Sequence, residues 1–398
     1  MKKVIRCWGR LAVALACLGA FSAAIAQQPI KLGWPNSFSP PGNVIGAREA
    51  KVGAEIALDL FKQKFGPKID GRDIEIIYED TRGDPEAARS AMEKLVNKDR
   101  VDLSTGCNHS SEGFVLSRVS HDNKTGFILM NCWSDDIRNQ KFDEVFAVSN
   151  YTSRTKAAVT GFIKQINAKT FVILAESTDF GIGQAKMIEE QLKREAPQVV
   201  VTTKIIDKTS RDMREVILSL RKDPPDVVGV AMVAPQGFLL TSQMDELGVA
   251  PSQKTKLLDI GGYTDQAGFW EAVRDAGVGT YAYVLDYKGN PITSLGQTVK
   301  TQYVLKTKQA PTKFALQGFD ATWVALMALR ESKAKSRDAT IQALKKIKVE
   351  GSRGDIFFSN DVLFQQWPNI PFAIVQMEKV GQEAALAKGV FPPDTSKK

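Results

Sequence analysis

The sequence predicts an α/β protein built from two doubly wound parallel-sheet domains. Short apolar runs alternate with segments of helical periodicity along most of the chain, which is typical of parallel strands covered by helices on both faces. The alternation is interrupted by the polar stretch 150–153 and then begins again. Because 398 residues also exceed the usual size of a single hydrophobic core, we expect two domains.

The first domain is predicted from alternating segments that start near residue 30. Its expected strands and helices, in chain order, are strand 30–34, helix 51–65, strand 74–79, helix 85–97, strand 101–104, helix 110–123, strand 127–130 and strand 145–148. Each strand is a short apolar run, and each helix carries its apolar residues three or four apart.

The second half repeats the pattern and then becomes mainly helical. The expected strands are 170–175, 199–206, 227–232, 256–260 and 280–285, with helices beginning near 182, 211, 235 and 266. Beyond 286 we expect helices at 296–305, 316–331 and 337–346, and strands at 355–358 and 372–378. Residues 388–398 include two adjacent prolines and two terminal lysines, and we expect a loose tail there.

The first 26 residues have the composition of a cleavable export signal. A basic start precedes the apolar stretch 11–25, and Ala24 and Ala26 fit the small-x-small cleavage pattern, so the mature chain should begin near Gln27. Lipid attachment at Cys17 is the alternative, but it would leave only the apolar core 11–16, which is shorter than usual. An exported chain has no ATP or NAD pool to use, which argues against nucleotide-dependent enzymes.

Charge argues against a nucleic-acid partner. The mature chain keeps 49 basic and 45 acidic residues of the 53 and 45 in the full sequence, because the signal holds four basic residues and no acids. The resulting net charge of +4 is spread along the chain rather than gathered into a basic patch.

No later segment is apolar enough to span a bilayer, so we expect the mature protein to be soluble.

Two cysteines remain after the signal, Cys107 and Cys132, each just beyond a predicted strand. They could pair in an oxidising compartment, but sequence gives no distance between them, and we favour two partly buried free thiols. With His109 and His121 they make a poor metal set. We therefore expect no metal site.

The residues that catalysis or cofactor binding would need do not occur in recognisable patterns. There is no Gly-x-Ser-x-Gly elbow, no Walker lysine and no complete dinucleotide fingerprint. Neither histidine has a nucleophile and an orienting acid at a recognisable spacing. We expect no enzyme activity, no catalytic residues and no cofactor.

Three strand-to-helix corners carry the candidate binding residues. Ser110 and Ser111 open a helix whose N–H groups suit a carboxylate, although an ordinary serine cap explains them as well. The next corner holds Asn131 and Trp133, and Trp133 could instead cap the core. The equivalent corner of the second half contains Phe180, a candidate cleft aromatic.

Several short motifs, in their order and spacing, resemble the leucine/isoleucine/valine-binding group of periplasmic solute-binding proteins of ABC transporters, which have the type I fold. The motifs are IKLG at 30–33, GAEIA at 53–57, YEDTRGDPEAA at 78–88, Gly106 with Ser110 and Ser111, DFGIG at 179–183 and GFDA at 318–321. The resemblance covers essentially the whole mature chain.

This resemblance implies a monomeric periplasmic clamp with three hinge crossovers, near 150, near 286 and between 360 and 372. The lobes would be 27–149 plus 286–365 and 150–285 plus 366–387. It implies that Ser110 and the loop Asn131, Cys132 and Trp133 hold the ligand carboxylate and that Phe180 covers the ligand. Its partners would be a small-molecule ligand and an inner-membrane ABC permease complex, which reads the closed form.

The chain departs from this group at the loop 261–265, where amino-acid binders place an acid that neutralises the ligand ammonium. Either Asp259 or Asp265 substitutes, or the ligand has no ammonium, because a buried ammonium without a partner costs several kcal/mol, roughly. A set of aromatic residues could flank a flat apolar body: Trp34, Phe38, Trp133, Phe180 and Tyr263.

We therefore expect the ligand to be a branched-chain or other hydrophobic amino acid, or an aromatic or aliphatic acid. A sensory ligand-binding protein of the same fold is the main alternative, and transport of ligand in a deletion strain would separate the two. A periplasmic hydrolase would turn its ligand over. A DNA-binding regulator is disfavoured, because the export signal occupies the place of a helix-turn-helix.

Overall fold

The computed structural model describes residues 28–285, 287 and 292–392. The predicted export signal at 1–26, most of the predicted crossover near 286 and the last residues of the predicted tail lie outside the described residues. Among the residues that are described, no helix is long and apolar enough to cross a membrane.

A six-stranded sheet forms the centre of the first lobe. Its strands are β1 (Ile30–Asn36), β2 (Lys68–Ile69), β3 (Arg72–Asp80), β4 (Leu103–Gly106), β5 (Gly126–Leu129) and β6 (Val145–Ala147). They lie in the order β2-β3-β1-β4-β5-β6, and all pairs are parallel except β2 with β3. The chain order reverses between β1 and β4, which is the switch point where such sheets bind ligands.

Helices from both ends of the chain cover this sheet. They are α1 (Val44–Phe65), α2 (Pro85–Glu93), α3 (Ser110–Asp122) and α4 (Asp135–Asn139), and, from the later part, α10 (Ser294–Thr307), α11 (Lys313–Glu331) and α12 (Arg337–Lys346). A hairpin of β12 (Lys348–Gly351) and β13 (Gly354–Phe357) follows α12. The mainly helical segments predicted after residue 286 thus complete the first lobe.

Two glycines from the sequence motifs allow α1 and α11 to pack closely. A β-carbon on Gly53 would overlap the carbonyl oxygen of Ala315, and one on Gly318 would overlap that of Ala50. Backbone meets backbone at this crossing, so any side chain would force the helices apart. The GAEIA and GFDA motifs therefore have a packing role.

The second lobe contains a seven-stranded sheet with the same reversal. Its strands are β7 (Thr170–Glu176), β8 (Val200–Ile206), β9 (Val227–Ala231), β10 (Lys256–Asp259), β11 (Tyr281–Val284), β14 (Ala373–Gln376) and β15 (Lys388–Phe391). The order is β15-β14-β11-β10-β9-β7-β8. Its helices are α5 (Thr152–Gln165), α6 (Asp179–Glu195), α7 (Arg214–Arg221), α8 (Gln236–Glu246) and α9 (Phe269–Val273).

The predicted two-sheet α/β architecture is confirmed, with two differences. The sheet of the second lobe is mixed, because β14 and β15 are both antiparallel to their neighbours. The prediction of a loose tail from 388 was wrong for its first residues, since Lys388 and Gly389 pair with β14 and Phe391 packs over Gly161. The alternation of Lys388–Phe391 was too short to indicate a strand.

Candidate functional site

The carboxyl ends of both sheets meet at a small enclosed cavity between the lobes. The loops after β4 and β5 contribute Ser110, Asn131 and Trp133, and the second lobe contributes Phe180 at the start of α6. Four predicted site residues are therefore brought together, as expected for strand ends at a switch point. The cavity volume is about 20 Å³, close to what one water molecule needs.

A disulfide bond between Cys107 and Cys132 ties the two first-lobe loops together. The expectation of free thiols was wrong, because β4 and β5 are neighbours and both cysteines follow at the same edge of the sheet, with a Cα–Cα distance of 6.0 Å. Both residues are completely buried. Cys132 therefore supports the loops and is not among the residues that line the cavity.

Hydrogen bonds fix the orientation of Trp133. The oxygen Oδ1 of Asn131 accepts from Trp133 Nε1 and from Gln317 Nε2, each at 2.8 Å. The nitrogen Nδ2 of Asn131 donates to Oδ1 of Asn108, also at 2.8 Å. Because the indole N–H is already bonded, Trp133 offers the cavity an apolar ring held in one position.

Aromatic rings from both lobes meet at Trp133. Phe180 lies edge-on to it with ring centroids 5.5 Å apart, and Tyr283 of β11 lies 5.3 Å away. Such edge and tilted contacts are favourable for aromatic pairs. The cavity therefore has an apolar aromatic wall that joins the lobes.

The polar wall is the first turn of α3. Oγ of Ser110 accepts from the amide of Ser134 at 3.1 Å, which leaves its hydroxyl hydrogen available to donate. Together with the N–H groups of the helix start, this suits an anionic group. Ser111 is half-buried on the same turn and does not line the cavity.

His109 is a polar residue of the cavity that sequence reasoning considered only for metal binding and catalysis. Its Nε2 accepts from the amide of Asn43 at 3.0 Å, so the neutral ring carries its proton on Nδ1. Burial, with a smaller effect of Lys208, lowers the pKa of His109 to about 4. The imidazole is therefore uncharged at neutral pH.

Two predicted site residues lie elsewhere. Trp34 is fully buried in the first-lobe core, where its indole N–H donates to Thr322 Oγ1 at 3.1 Å. Tyr263 is fully buried in the second lobe, with its hydroxyl 3.0 Å from Thr241 Oγ1. Each large ring fills a core position in its own lobe, and neither lines the cavity.

The loop after β10 uses the carboxylate of Asp259 to hold its own conformation. Asp259 is fully buried and accepts from the amides of Gly262, at 2.6 Å, and Thr264, at 2.8 Å, and from the Thr264 hydroxyl. Its carboxylate thus holds its own loop. Lys313, at the start of α11, reaches across from the first lobe and donates to the carbonyls of Gly262 and Asp265.

Lys313 is a buried cation that sequence reasoning missed. A lysine in the first turn of a helix is usually exposed, and only the structure shows that this one spans the two lobes. A larger open groove of about 380 Å³ lies near it, between 264–271 and 309–312. That groove lacks the strand ends and the fixed aromatic ring, so the enclosed cavity is the better candidate for the binding site.

Glu49 gives the fold a pH dependence that can be measured. Burial, opposed by a hydrogen bond from Thr312, raises the pKa of Glu49 to about 7 from 4.5. Between these values the folded protein binds a proton that the unfolded chain releases, so stability falls as pH rises through this window.

Replacing Glu49 with glutamine should remove this loss. We expect Glu49→Gln to unfold at higher urea concentration than the wild type at pH 8 and at a similar one at pH 5. Glu93→Gln, at an exposed carboxyl of α2, is the control. It should unfold at the same urea concentration as the wild type at pH 8 and at pH 5. Equal pH dependence in wild type and Glu49→Gln would contradict the assignment.

Comparisons with known proteins bear on the family and the fold of the chain. Residues 29–382 match the family model described as periplasmic binding protein. No curated protein matches the chain in sequence.

In the described regions, no group of three or more histidine, cysteine, aspartate or glutamate side chains could hold a metal ion.

Solved structures with low sequence identity share the fold. A branched-chain amino acid transporter substrate-binding protein, LivJ from Streptococcus pneumoniae, in complex with isoleucine, has 17% identity and a TM-score of 0.79, covering 91% of this chain and 100% of that one. A solute-binding protein from Rhodopseudomonas palustris with 3,4-dihydroxybenzoic acid has 19% identity and a TM-score of 0.76, covering 89% and 94%.

A further solute-binding protein from R. palustris, in complex with benzoate, has 18% identity and a TM-score of 0.77, covering 91% of this chain and 95% of that one. At these identities the likeness concerns the fold, and the predicted type I periplasmic binding protein fold is confirmed. The family match over most of the sequence shows that the chain belongs to the periplasmic binding protein family.

Proposed function

We propose that this chain is the periplasmic solute-binding protein of an ABC transporter, released from its export signal near Gln27. It captures a small carboxylate-bearing molecule between its lobes and delivers it to an inner-membrane permease. The observation that carries the proposal is the enclosed cavity at the strand ends, where Ser110 and the start of α3 face an aromatic wall shared by both lobes.

Ligand entry requires the lobes to separate. A cavity of about 20 Å³ has no room for an amino acid or a benzoate, and Trp133 and Phe180 close it from opposite lobes. The proposed moving units follow the predicted lobes, except that Gln366 and Trp367 stay with the first lobe, because both bond to Ala147 of β6, and that the second lobe is extended by Lys388–Phe391. Closure around ligand is a hinge motion about the crossovers.

Aromatic or aliphatic acids are the better ligand class, and hydrophobic amino acids are the second. The Asp259 carboxylate accepts hydrogen bonds from the Gly262 and Thr264 amides of its own loop, so it does not serve as the partner of a ligand ammonium. Relatives of this fold bind both classes, isoleucine in one case and benzoates in others.

A thermal-shift panel tests the function. Benzoates, short fatty acids and hydrophobic amino acids should be added to the protein at the same concentrations. A true ligand at 100 times its dissociation constant should stabilise the fold by about 2.7 kcal/mol, and it should be recovered chemically unchanged. Conversion of the ligand would indicate a hydrolase instead, and no stabilisation by any probe would contradict the proposed ligand class.

Replacing Ser110 with alanine should weaken binding of the true ligand. The hydroxyl that we assign to the carboxylate is lost, and a hydrogen bond to a charged group contributes about 1.5–3 kcal/mol, so the dissociation constant should rise about tenfold to a hundredfold. Titration calorimetry measures this. Ser111→Ala, on the same turn but outside the cavity, is the matched control, and an equal loss in both variants would argue against Ser110 as the anchor.

A further inference from the structure

One buried side chain of the first lobe is bonded to the backbone of the second lobe. Lys313, the first residue of α11, is buried, and its Nζ donates to the carbonyl oxygens of Gly262 and, at 3.3 Å, of Asp265. Both carbonyls belong to the loop after β10. We call these two hydrogen bonds the Lys313 bridge. Lysine is rarely buried without a partner, and here the partners come from the other lobe.

The loop after β10 presents its acceptor to the first lobe. Asp259 accepts hydrogen bonds from the amides of Gly262 and Thr264, while the carbonyl oxygen of Gly262 accepts from Lys313. Gly262 has a φ of +76°, a left-handed conformation that favours glycine. The bonds to Asp259 lie within the second lobe, so the acceptor is oriented by its own loop.

The Lys313 bridge lies beside the cavity without forming part of its wall. A β-carbon on Gly262 would lie 2.9 Å from Lys313 Nζ and 3.4 Å from the ring of Trp133. Trp133 and the neighbouring Gly261 line the cavity, whereas Lys313 and Gly262 do not. The bridge can therefore act on closure of the cavity without touching a ligand.

Charge strengthens the contact between the lobes at this point. The carboxyl groups of Glu49, on α1, and of Asp259, in the second lobe, interact electrostatically with Lys313. Hydrogen bonds from a charged donor are stronger than those between neutral groups, particularly where water is excluded. Separation of the lobes exchanges both carbonyl acceptors for water. The Lys313 bridge therefore stabilises the closed arrangement relative to an open one.

We propose that Lys313 is a positioning residue that holds the two lobes closed and thereby sets how slowly the ligand is released. This rests on the proposed function, in which the ligand enters and leaves as the lobes close and open. The Lys313 bridge joins the lobes, so it must break before the ligand leaves. Because neither Lys313 nor Gly262 lines the cavity, the bridge acts equally on ligands of different chemical class.

Release rates of benzoate, 4-methylpentanoate and leucine test this proposal. Binding and displacement are followed after rapid mixing by tryptophan fluorescence, since Trp133 lines the cavity. The variants are Lys313→Met, which keeps a long side chain without its charge, and Gly262→Ala, which crowds Nζ from the second lobe. Lys306→Met is the matched control, because Lys306 pairs with Asp59 inside the first lobe.

Lys313→Met should raise the dissociation rate about tenfold to a hundredfold, and by the same factor for each probe that binds, because hydrogen bonds from a charged group are lost in the closed form. The association rate should stay nearly unchanged, since the bridge forms after the ligand has entered. Gly262→Ala should also speed release. Combining it with Lys313→Met should add little, because both substitutions remove the same contact. Lys306→Met should release ligand at the wild-type rate.

The contrary outcomes are distinguishable. Wild-type release rates in a folded Lys313→Met variant would refute the role of the Lys313 bridge and leave the proposed function intact. Faster release of only one among several binding probes would show that Lys313 acts on that ligand directly. If Lys313→Met does not fold, Gly262→Ala decides alone, and wild-type release from it would refute the proposal. No binding of any probe to the wild type would refute both the bridge and the proposed function.

Discussion

Replacing Asp320 with alanine should lower the free energy of unfolding by about 3–5 kcal/mol. Asp320 and Arg353 form a completely buried ion pair, in which Arg353 Nε donates to the carboxylate at 2.9 Å. The carboxylate also accepts from the amide of Ser352 at 2.6 Å. The substitution leaves the guanidinium of Arg353 buried without its counter-charge, and this uncompensated charge accounts for most of the loss.

Urea unfolding of Asp320→Ala and of a double variant measures the effect. Asp320→Leu with Arg353→Met removes both charges and should recover much of the stability lost in Asp320→Ala, because a buried pair exchanged for apolar groups is often nearly neutral. Arg214→Met breaks the exposed pair with Glu246 and should change little. A small loss in Asp320→Ala would show that water reaches this pair.

The disulfide should have the second large effect. Replacing both Cys107 and Cys132 with serine opens a loop of 25 residues, and the loss of this constraint on the unfolded chain should cost about 3–4 kcal/mol. We also expect weaker ligand binding, because the bond joins the loops that position Ser110 and Trp133.

Thermal unfolding and ligand titration of the double serine variant test this prediction. Wild type treated with a reductant under denaturing conditions and then refolded without an oxidant should behave like the variant. Lower stability with unchanged affinity would show that hydrogen bonds around Asn131 are sufficient to hold the loops. Unchanged stability would contradict a structural disulfide.

The alternation of apolar runs and helices predicted both sheets, because strands buried on two faces must be apolar throughout. The corners with Ser110 and Phe180 could be predicted too, since open α/β sheets bind ligands at strand ends beside a switch point. The packing roles of Gly53 and Gly318 carry no local signal, because the close contact joins helices far apart in sequence.

Side-chain direction could not be predicted. Trp34 lies in β1 and Tyr263 follows β10, but both side chains are fully buried and neither lines the cavity, whereas Trp133 does. Lys313 and Gln317 lie on a late helix whose position against the first sheet depends on the chain returning to the first lobe. The pairing of Cys107 with Cys132 depended in the same way on strand order.

Titration calorimetry of the wild-type protein with the acid that stabilises it most tests the central claim most directly. We predict saturable binding of one ligand per chain, with the ligand recovered unchanged and with affinity lowered by Ser110→Ala and not by Ser111→Ala. Absence of saturable binding, or turnover of the acid, would contradict a ligand clamp built at the strand ends of the two lobes.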